Sequence, residues 1–161
     1  MDYQKSGFEF EVYSSIEELR KEDADLLLEA RKATQIAYAP YSNFHVGAMA
    51  SLANGKTVAG SNQENASYPV GICAERVLLS AASSLYPGVA INTIAISYQS
   101  EHINSNRPVT PCGICRQTLA EYESRFQQPI RLILAGMEGK IFIIPKAGML
   151  LPLQFSGEDM K

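Results

Sequence analysis

Residues 73–98 have the sequence CAERVLLSAASSLYPGVAINTIAISY, in which a helix pattern is followed directly by a strand pattern. The apolar residues between Val77 and Leu85 recur at helical spacing, and Pro87-Gly88 ends that helix. The apolar-rich run that follows, residues 91–98, is typical of a buried strand. A helix joined to a buried strand indicates an α/β fold, in which helices cover a sheet.

Two strands and at least one helix are predicted upstream of this stretch. Residues 44–52 and 56–61 flank Asn54-Gly55, which is the strongest short signal for a tight turn between two antiparallel strands. We predict one or two helices over residues 15–38, because this segment opens with a capping-box pattern and stays apolar at helical spacing until Pro40.

The two ends of the chain complete the predicted pattern. After a polar loop, Pro111 precedes a second helix, and residues 130–135 and 140–144 predict two further strands. Residues 8–13 alternate between apolar and polar side chains, which suits either a short half-buried strand or a loosely docked arm. Strands that alternate with helices along the chain predict an α/β sandwich with a mixed sheet of about five strands.

Length and composition limit the classes of protein to which the chain can belong. With 161 residues, of which 46% are hydrophobic and 19% charged, we expect a single domain over residues 1–161. The 14 basic and 17 acidic residues give a net charge of −3, which argues against a nucleic-acid partner. No apolar stretch is long enough to cross a membrane, and the polar N-terminus shows no secretory signal, so we expect a cytoplasmic protein.

Three cysteines carry the main chemical signal, and two of them form the motif Cys112-Gly113-Ile114-Cys115 at a predicted helix start. By itself, this motif suits a dithiol redox pair as well as a metal site. Cys73 favours the metal, because it also opens a predicted helix, and the backbone N–H groups at both helix starts stabilise thiolates. In a reducing compartment, an odd number of cysteines is better explained by ligands or reactive thiols than by disulfides.

The ligand count favours a catalytic zinc. Three protein ligands with a fourth position open to water are typical of such a site, whereas a structural zinc needs a fourth cysteine or histidine. His45 and His102 lie in a predicted strand and loop, where a histidine is usually structural or exposed to solvent. Glu75 lies two residues after Cys73, and a carboxylate beside thiolates is costly unless it shares a proton with water or substrate. We therefore predict that Glu75 is a general acid and base.

The two motifs together resemble a known family. Cys73-Ala74-Glu75-Arg76 and Pro111-Cys112-Gly113-Ile114-Cys115-Arg116-Gln117 are similar to the paired zinc signature of cytidine deaminases that act on free nucleosides, in the three-cysteine form. Residues 41–48, residues 62–66 and Leu150-Leu151-Pro152 with Phe155 resemble further blocks of that family. The resemblance runs from about Ala37 to Asp159, so residues 1–15 are expected to form an N-terminal extension without a counterpart.

The resemblance implies a fold, a cofactor and a reaction. The fold would be a three-layer α/β/α sandwich, and one Zn²⁺ per chain would be held by Cys73, Cys112 and Cys115. The enzyme would hydrolyse cytidine and deoxycytidine to uridine and deoxyuridine with release of ammonia, a reaction of pyrimidine salvage. Glu75 would move the protons, and Arg76 would hydrogen-bond the ligand thiolates.

The resemblance also implies substrate contacts. Phe44 would pack on the pyrimidine, Asn62 and Glu64 would hold a ribose hydroxyl, and the Ala74 backbone would help to fix the edge of the base. The expected partner is a small nucleoside and neither a nucleotide nor a nucleic acid, because the carboxylate of Glu64 would repel a phosphate at the ribose.

The family resemblance further implies a homotetramer, because the short three-cysteine members have active sites that borrow residues across subunit interfaces. Tyr68 and Phe155 resemble the residues that reach a neighbouring site. The sequence is also compatible with three alternatives. These are a deaminase of another aminopyrimidine or aminonucleoside, a non-catalytic domain in which zinc only stabilises the fold, and a dithiol redox protein.

Overall fold

A mixed sheet of six strands forms the centre of the computed structural model, which describes all 161 residues. The strands are β1 (Glu11–Tyr13), β2 (Phe44–Leu52), β3 (Thr57–Ser61), β4 (Ile91–Ser100), β5 (Arg131–Ala135) and β6 (Ile141–Ile144). The helices are α1 (Lys21–Ala33), α2 (Ala74–Leu85) and α3 (Gly113–Phe126). Short 3-10 turns occupy Ile16–Glu18, Thr34–Ile36, Tyr68–Val70, Ala147–Leu150 and Gly157–Met160. None of the helices is both long and apolar enough to span a bilayer.

The strand order is β1-β6-β5-β4-β2-β3, and the only parallel pair is β4 with β5. Helix α3 connects these two strands, as a parallel pair requires a crossover of a dozen or more residues. The hairpin predicted at Asn54-Gly55 is present, with β2 and β3 paired antiparallel. Gly55 has a φ of 78°, a conformation that glycine adopts without a steric penalty.

The sheet is covered on both faces because its central strands are apolar on both sides. In β4, Ile94 and Ile96 lie in the core cluster that includes Leu78, Leu79 and Leu119 of α2 and α3. Ala95 lies in the opposite cluster, which includes Leu26, Leu27 and Ala30 of α1. Successive strand residues point to opposite faces, so this near-continuous apolar run requires helices on each side. The predicted α/β/α sandwich with a mixed sheet of about five strands is therefore confirmed.

The N-terminal arm supplies the additional strand, but it is less buried than the alternation suggested. Only residues 11–13 pair with β6, and Phe8 and Phe10 precede the strand with side chains that stay partly exposed. Phe10 packs edge-on against Phe142, with ring centroids 5.0 Å apart. The arm stays exposed because β1 lies at the edge of the sheet and has a partner strand on one side only.

The capping box expected at Ser15 does not form. The Ser15 side chain makes no capping hydrogen bond, and a carboxylate oxygen of Glu18 accepts from the Ser14 backbone N–H at 2.9 Å instead. The prediction fails because residues 16–18 form only a 3-10 turn. Leu19 and Arg20 then return to extended backbone, and α1 begins at Lys21.

Gly60 on β3 lets α2 lie directly on the sheet. A Cβ atom at this position would overlap the carbonyl oxygen of Ala74 and would lie 2.6 Å from the Leu78 backbone nitrogen. Any residue larger than glycine would therefore push the first turn of α2 away from β3. Since this turn follows Cys73 and contains Glu75, Gly60 contributes to the position of both side chains.

Candidate functional site

The starts of α2 and α3 bring the three cysteines together. Cys73 and Cys112 are the N-cap residues of the two helices, and Cys115 lies in the first turn of α3. Neither N-cap side chain bonds to its own helix, which leaves both sulfurs available for another partner. The Sγ atoms of Cys73 and Cys112 are 3.8 Å apart, and all three Sγ atoms lie within 4.8 Å of one another.

This arrangement fits a tetrahedral zinc ion. Zn–S bonds of about 2.3 Å in a tetrahedral site place the sulfurs about 3.8 Å apart, which matches the Cys73–Cys112 separation. No histidine or carboxylate belongs to the cluster. His45 lies in β2 and His102 in the loop after β4, as the sequence predicted. The protein therefore offers three thiolate ligands and leaves the fourth tetrahedral position without a protein ligand.

Two of the three thiols, those of Cys73 and Cys115, have pKa values shifted in opposite directions. A hydrogen bond from Cys115 lowers the pKa of Cys73 to about 6, with a smaller contribution from the positive charge of Arg76. The same hydrogen bond, together with burial, raises the pKa of Cys115. Thiolates this close repel one another, and a divalent cation relieves that repulsion when it replaces the protons.

Glu75 is buried next to this cluster. Its side chain points into the same cavity as Cys73 and Cys112, and only 5% of the residue is exposed. Burial raises the pKa of Glu75, because a carboxylate loses solvation when it leaves water. A raised pKa makes the carboxylate of Glu75 a stronger proton acceptor than an exposed carboxylate, and this suits a general acid and base.

A cavity of about 470 Å³ lies in front of the cysteines. Its size falls in the range typical of small-molecule sites. The wall includes six of the residues that the sequence singled out: Phe44, Asn62, Glu64, Cys73, Glu75 and Cys112. Ser42, Val46, Ile96, Val109 and Thr110 complete the lining.

Phe44 forms one side of the cavity and is fixed from behind by an aromatic neighbour. Its ring stacks on Tyr98, with centroids 4.9 Å apart and planes at 16°. Tyr98 is fully buried, and its hydroxyl donates to the carbonyl oxygen of Asn104. The exposed face of the Phe44 ring is thus held at a defined angle toward the cavity.

Asn62 and Glu64 support the turn that leads into β2. The Asn62 side chain accepts from the Val46 N–H at 2.7 Å and donates to the Phe44 carbonyl oxygen at 2.9 Å. The Glu64 carboxylate accepts from the N–H groups of Tyr41 and Ser42 and from the Ser42 hydroxyl. Burial alone would raise the pKa of Glu64, but these hydrogen bonds outweigh it and lower the pKa.

Five other residues singled out in the sequence lie outside the cavity wall, and one of them is Cys115, which is buried behind it. Ala74 is fully buried in the first turn of α2, and Arg76 acts on Cys73 by charge, with no hydrogen bond to a sulfur. Tyr68 is 76% exposed and packs 6.1 Å from the Tyr41 ring, around a neighbouring cavity of about 290 Å³. Phe155 is 59% exposed, and its carbonyl oxygen accepts from the Gln117 side chain at 2.9 Å.

Sequence reasoning missed two parts of the site. Val46 lies two residues after Phe44 on β2, so the period of a strand could have placed both side chains on the same face. Val109 and Thr110 lie in an irregular loop before Cys112, where no periodicity indicates which side chains face inward.

Two polar residues of α3 fix the segments around the site. The Arg116 guanidinium donates to the Pro111 and Leu150 carbonyl oxygens and to the Thr110 hydroxyl. Glu123 is buried, and its carboxylate accepts from the backbone N–H groups of residues 130, 147 and 148. Buried carboxylates are tolerated when such hydrogen bonds replace water. The helix that carries Cys115 therefore also anchors the 3-10 turn at Ala147–Leu150.

Comparisons with known proteins agree with this geometry. Residues 20–127 match the family model described as the cytidine and deoxycytidylate deaminase zinc-binding region. A cytidine deaminase of Halalkalibacterium halodurans is 38% identical over 135 residues, which cover 84% of this chain and 95% of the relative. A cytidine deaminase of Sporosarcina psychrophila is 38% identical over 136 residues, with coverage of 84% and 92%.

A solved structure extends the similarity to the fold. The crystal structure of a cytidine deaminase from Burkholderia pseudomallei superimposes with a TM-score of 0.71 at 36% sequence identity. The matched region covers 85% of this chain and the whole of that one.

Proposed function

This chain belongs to the family of cytidine and deoxycytidylate deaminases with a zinc-binding region, and we propose that it hydrolyses cytidine and deoxycytidine to uridine and deoxyuridine. Water is the second substrate and ammonia the second product. The observation that carries this proposal is the single cavity that contains Cys73, Cys112 and the buried carboxyl group of Glu75. A small molecule bound in this cavity can therefore contact both the cysteine cluster and the carboxyl group of Glu75.

Cys73, Cys112 and Cys115 would hold one zinc ion per chain. Their Sγ separations and the capacity of the two helix starts to stabilise thiolates support this assignment. When bound, zinc acts as a Lewis acid that makes a water molecule nucleophilic near neutral pH. Arg76 would contribute positive charge next to Cys73, which offsets part of the negative charge of three thiolates.

Glu75 would move the protons of the reaction. Its carboxylate takes a proton from the attacking water and transfers it to N3 of the pyrimidine, which makes C4 more electrophilic. The new bond joins the water oxygen to C4, and the bond that breaks joins C4 to the amino nitrogen, which leaves as ammonia. Glu75 then takes the second proton of the water from the new hydroxyl group on C4 and delivers it to the leaving nitrogen, and burial suits this role because a raised pKa makes the carboxylate a better proton acceptor.

The substrate contacts follow from the lining of the cavity. Phe44 would pack on the pyrimidine, with its angle fixed by Tyr98. The Asn62 amide has one lone pair and one N–H left over from its backbone bonds, and these would bind a ribose hydroxyl together with Glu64. The Ala74 backbone would help to fix the edge of the base.

The ionised state of Glu64 also bears on the choice of substrate. Its lowered pKa keeps a negative charge in the cavity wall at neutral pH. A phosphate on the ribose would bring a second negative charge to the same end of the cavity. The favoured substrates are therefore free nucleosides.

We further propose that residues 1–161 form one deaminase domain with residues 1–15 as an extension, and that the enzyme is a homotetramer. Tyr68 and Phe155 would each reach the site of a neighbouring subunit. Their large exposed aromatic side chains, each beside a wall of a surface cavity, support this assignment. Three zinc-binding thiols suit the reducing cytoplasm, where the enzyme would serve pyrimidine salvage.

The first test combines activity with metal content. Purified protein is added to cytidine or deoxycytidine, the loss of ultraviolet absorbance and the released ammonia are followed, and zinc is quantified on the same sample. We expect ammonia release with about one zinc per chain. Zinc-loaded protein that leaves both nucleosides unchanged would refute the substrate, and protein with three free thiols and no zinc affinity would support a dithiol function.

A further inference from the structure

The N-terminal arm, residues 3–13, has an edge without a paired strand. Its last three residues form β1 and pair with β6 on one side only, because β1 is the outermost strand of the sheet. The backbone of residues 3–10 makes no hydrogen bond within the chain. A strand edge with unpaired N–H and C=O groups is a template for pairing with another chain.

The large apolar side chains of the arm lie on one face. The rings of Phe8 and Phe10 have centroids 6.1 Å apart, and Phe10 packs on Phe142 of β6. Residues at a spacing of two share a face of a strand, so Val12 continues this row. The three arm residues of the row are 38%, 44% and 54% exposed. The charged residues of the arm all alternate with the row: Lys5, Glu9 and Glu11.

A second copy of the arm complements the first when the two run antiparallel with Phe8 at the centre. Lys5 of each copy then lies opposite Glu11 of the other, and the symmetry of the pairing makes this contact occur twice. The other facing pairs are Tyr3 with Tyr13, Gln4 with Val12, Ser6 with Phe10 and Gly7 with Glu9. Opposite charges and aromatic pairs stabilise facing strands, and no directly facing pair here joins like charges.

The neighbouring registers complement one another less well. Pairing centred on Gly7 places Phe8 and Phe10 opposite polar side chains, so the aromatic rings lose their facing partners. Pairing centred on Glu9 brings the two Glu9 carboxylates face to face, which is destabilising. A shift of one strand by a single residue places the apolar face of one copy beside the charged face of the other. The register centred on Phe8 is therefore the one that the side chains favour.

We propose that the N-terminal arms of two copies of this chain pair as antiparallel strands centred on Phe8, and that this pairing joins two six-stranded sheets edge to edge. The partner is a second copy, because the matching charges and rings lie on one and the same segment. The arm lies outside residues 20–127, which match the family model, and none of its residues lines the cavity in front of the cysteines. The pairing is therefore independent of the proposed reaction.

The first test reverses the charges of the facing pair in the full-length chain. Lys5→Glu and Glu11→Lys each place like charges opposite one another twice, and each should weaken association of the copies about tenfold, as measured by sedimentation equilibrium. The double variant restores opposite charges and should recover most of the wild-type association. Glu9→Lys is the control, because it changes the net charge as much as Glu11→Lys does but faces Gly7, and it should change association less than about threefold.

The second test reads the register directly. Residues that face each other in antiparallel strands have Cα atoms about 4.5–5.5 Å apart, which is within the range that a disulfide spans. Mild oxidation of Phe8→Cys should therefore give a disulfide-linked dimer on a non-reducing gel. Ser6→Cys should not, because Ser6 faces Phe10 of the other copy. Wild-type protein under the same oxidation controls for the three native cysteines, and Tm is measured for every variant.

The outcomes separate this inference from the proposed function. Association that is the same in wild type, Lys5→Glu and Glu11→Lys overturns the pairing and leaves the arm only as a cover for the edge of β6. Equal weakening by Glu9→Lys, or no recovery in the double variant, overturns the facing pair. Equal cross-linking of Ser6→Cys and Phe8→Cys overturns the register. Wild-type protein that releases no ammonia from cytidine would refute the proposed function and leave the arm pairing unaffected.

Discussion

The Sγ atoms of Cys73 and Cys112 lie 3.8 Å apart although 39 residues separate them along the chain. Each is the N-cap residue of a helix, and the two helices lie on the same face of the sheet. The site therefore depends on two helix starts that meet above one end of the sheet. Changes that move either start should affect metal binding before they affect the remainder of the fold.

Loss of one sulfur should remove the metal. We expect Cys112→Ser to purify with little zinc and with a lower Tm, because zinc binding is coupled to folding at such sites. Zinc per chain is measured by atomic absorption, and Tm by calorimetry with and without added zinc. Added zinc should raise the Tm of the metal-depleted wild type and leave that of the variant unchanged. A variant that retains one zinc per chain would exclude Cys112 as a ligand.

Glu75→Gln should separate chemistry from metal binding. The amide cannot carry the proton, so we expect kcat to fall by about 10²–10⁴-fold while zinc content and Tm stay near those of the wild type. Glu121→Gln is a matched control, because Glu121 is exposed on α3 and should have no effect. Undiminished turnover in the zinc-loaded Glu75→Gln variant would remove Glu75 from the proposed role.

Gly60→Ala should displace the first turn of α2. The added Cβ would overlap the Ala74 carbonyl oxygen, so we expect a loss of about 1–3 kcal/mol in the free energy of unfolding and a weaker affinity for zinc. Urea unfolding and zinc competition with a chelator measure the two effects. Gly7→Ala is the control, since a Cβ there meets no atom within 4 Å. Equal stability and zinc affinity in Gly60→Ala would show that α2 can shift without cost.

The ionisation of Asp23 should make the free energy of unfolding depend on pH in the acidic range. Burial alone would raise its pKa, but hydrogen bonds from Arg131 at 2.6 and 2.9 Å and from Arg20 outweigh burial and lower the pKa below the ordinary 3.8. The folded state then binds fewer protons than the unfolded state. The stabilisation is therefore complete above about pH 4 and is lost as the pH falls through the lower, folded-state pKa.

The Asp23→Asn variant tests this pH dependence. We expect it to be about 2 kcal/mol less stable than the wild type at pH 7, with a difference that shrinks below about pH 4. Urea unfolding at several pH values measures both. Asp25→Asn serves as the control, because Asp25 pairs with Lys21 in an exposed salt bridge and should change stability by less than about 1 kcal/mol. A difference between Asp23→Asn and wild type that is constant from pH 7 to pH 3 would contradict the linkage.

Glu64 should disfavour substrates that carry a phosphate on the ribose. We expect kcat/KM for cytidine 3′-monophosphate to be at least about tenfold below that for cytidine, because two negative charges would meet at one end of the cavity. Higher salt should reduce the difference. Comparable rates for both compounds at low salt would exclude Glu64 from that end of the bound nucleoside.

Local patterns were sufficient for most of the secondary structure. The hairpin at Asn54-Gly55, the buried strand after Pro87-Gly88 and the helix after Pro111 were all predicted, because turn residues and periodicity act over a few residues. The capping box predicted at Ser15 does not form, because the chain returns to extended backbone before α1 begins. A capping motif predicts a helix start only when the following residues continue the helix.

The amino-acid sequence by itself determined the two cysteine motifs, the alternation of helices and strands, and the presence of Glu75 two residues after Cys73, because these follow from residue types at short spacing. Only the tertiary structure decided that Val109 and Thr110 face the cavity, that Tyr98 fixes the Phe44 ring, and that Arg116 joins three segments. These contacts involve loops or residues far apart in the chain. Their side-chain directions depend on how the helices pack on the sheet, which no local pattern encodes.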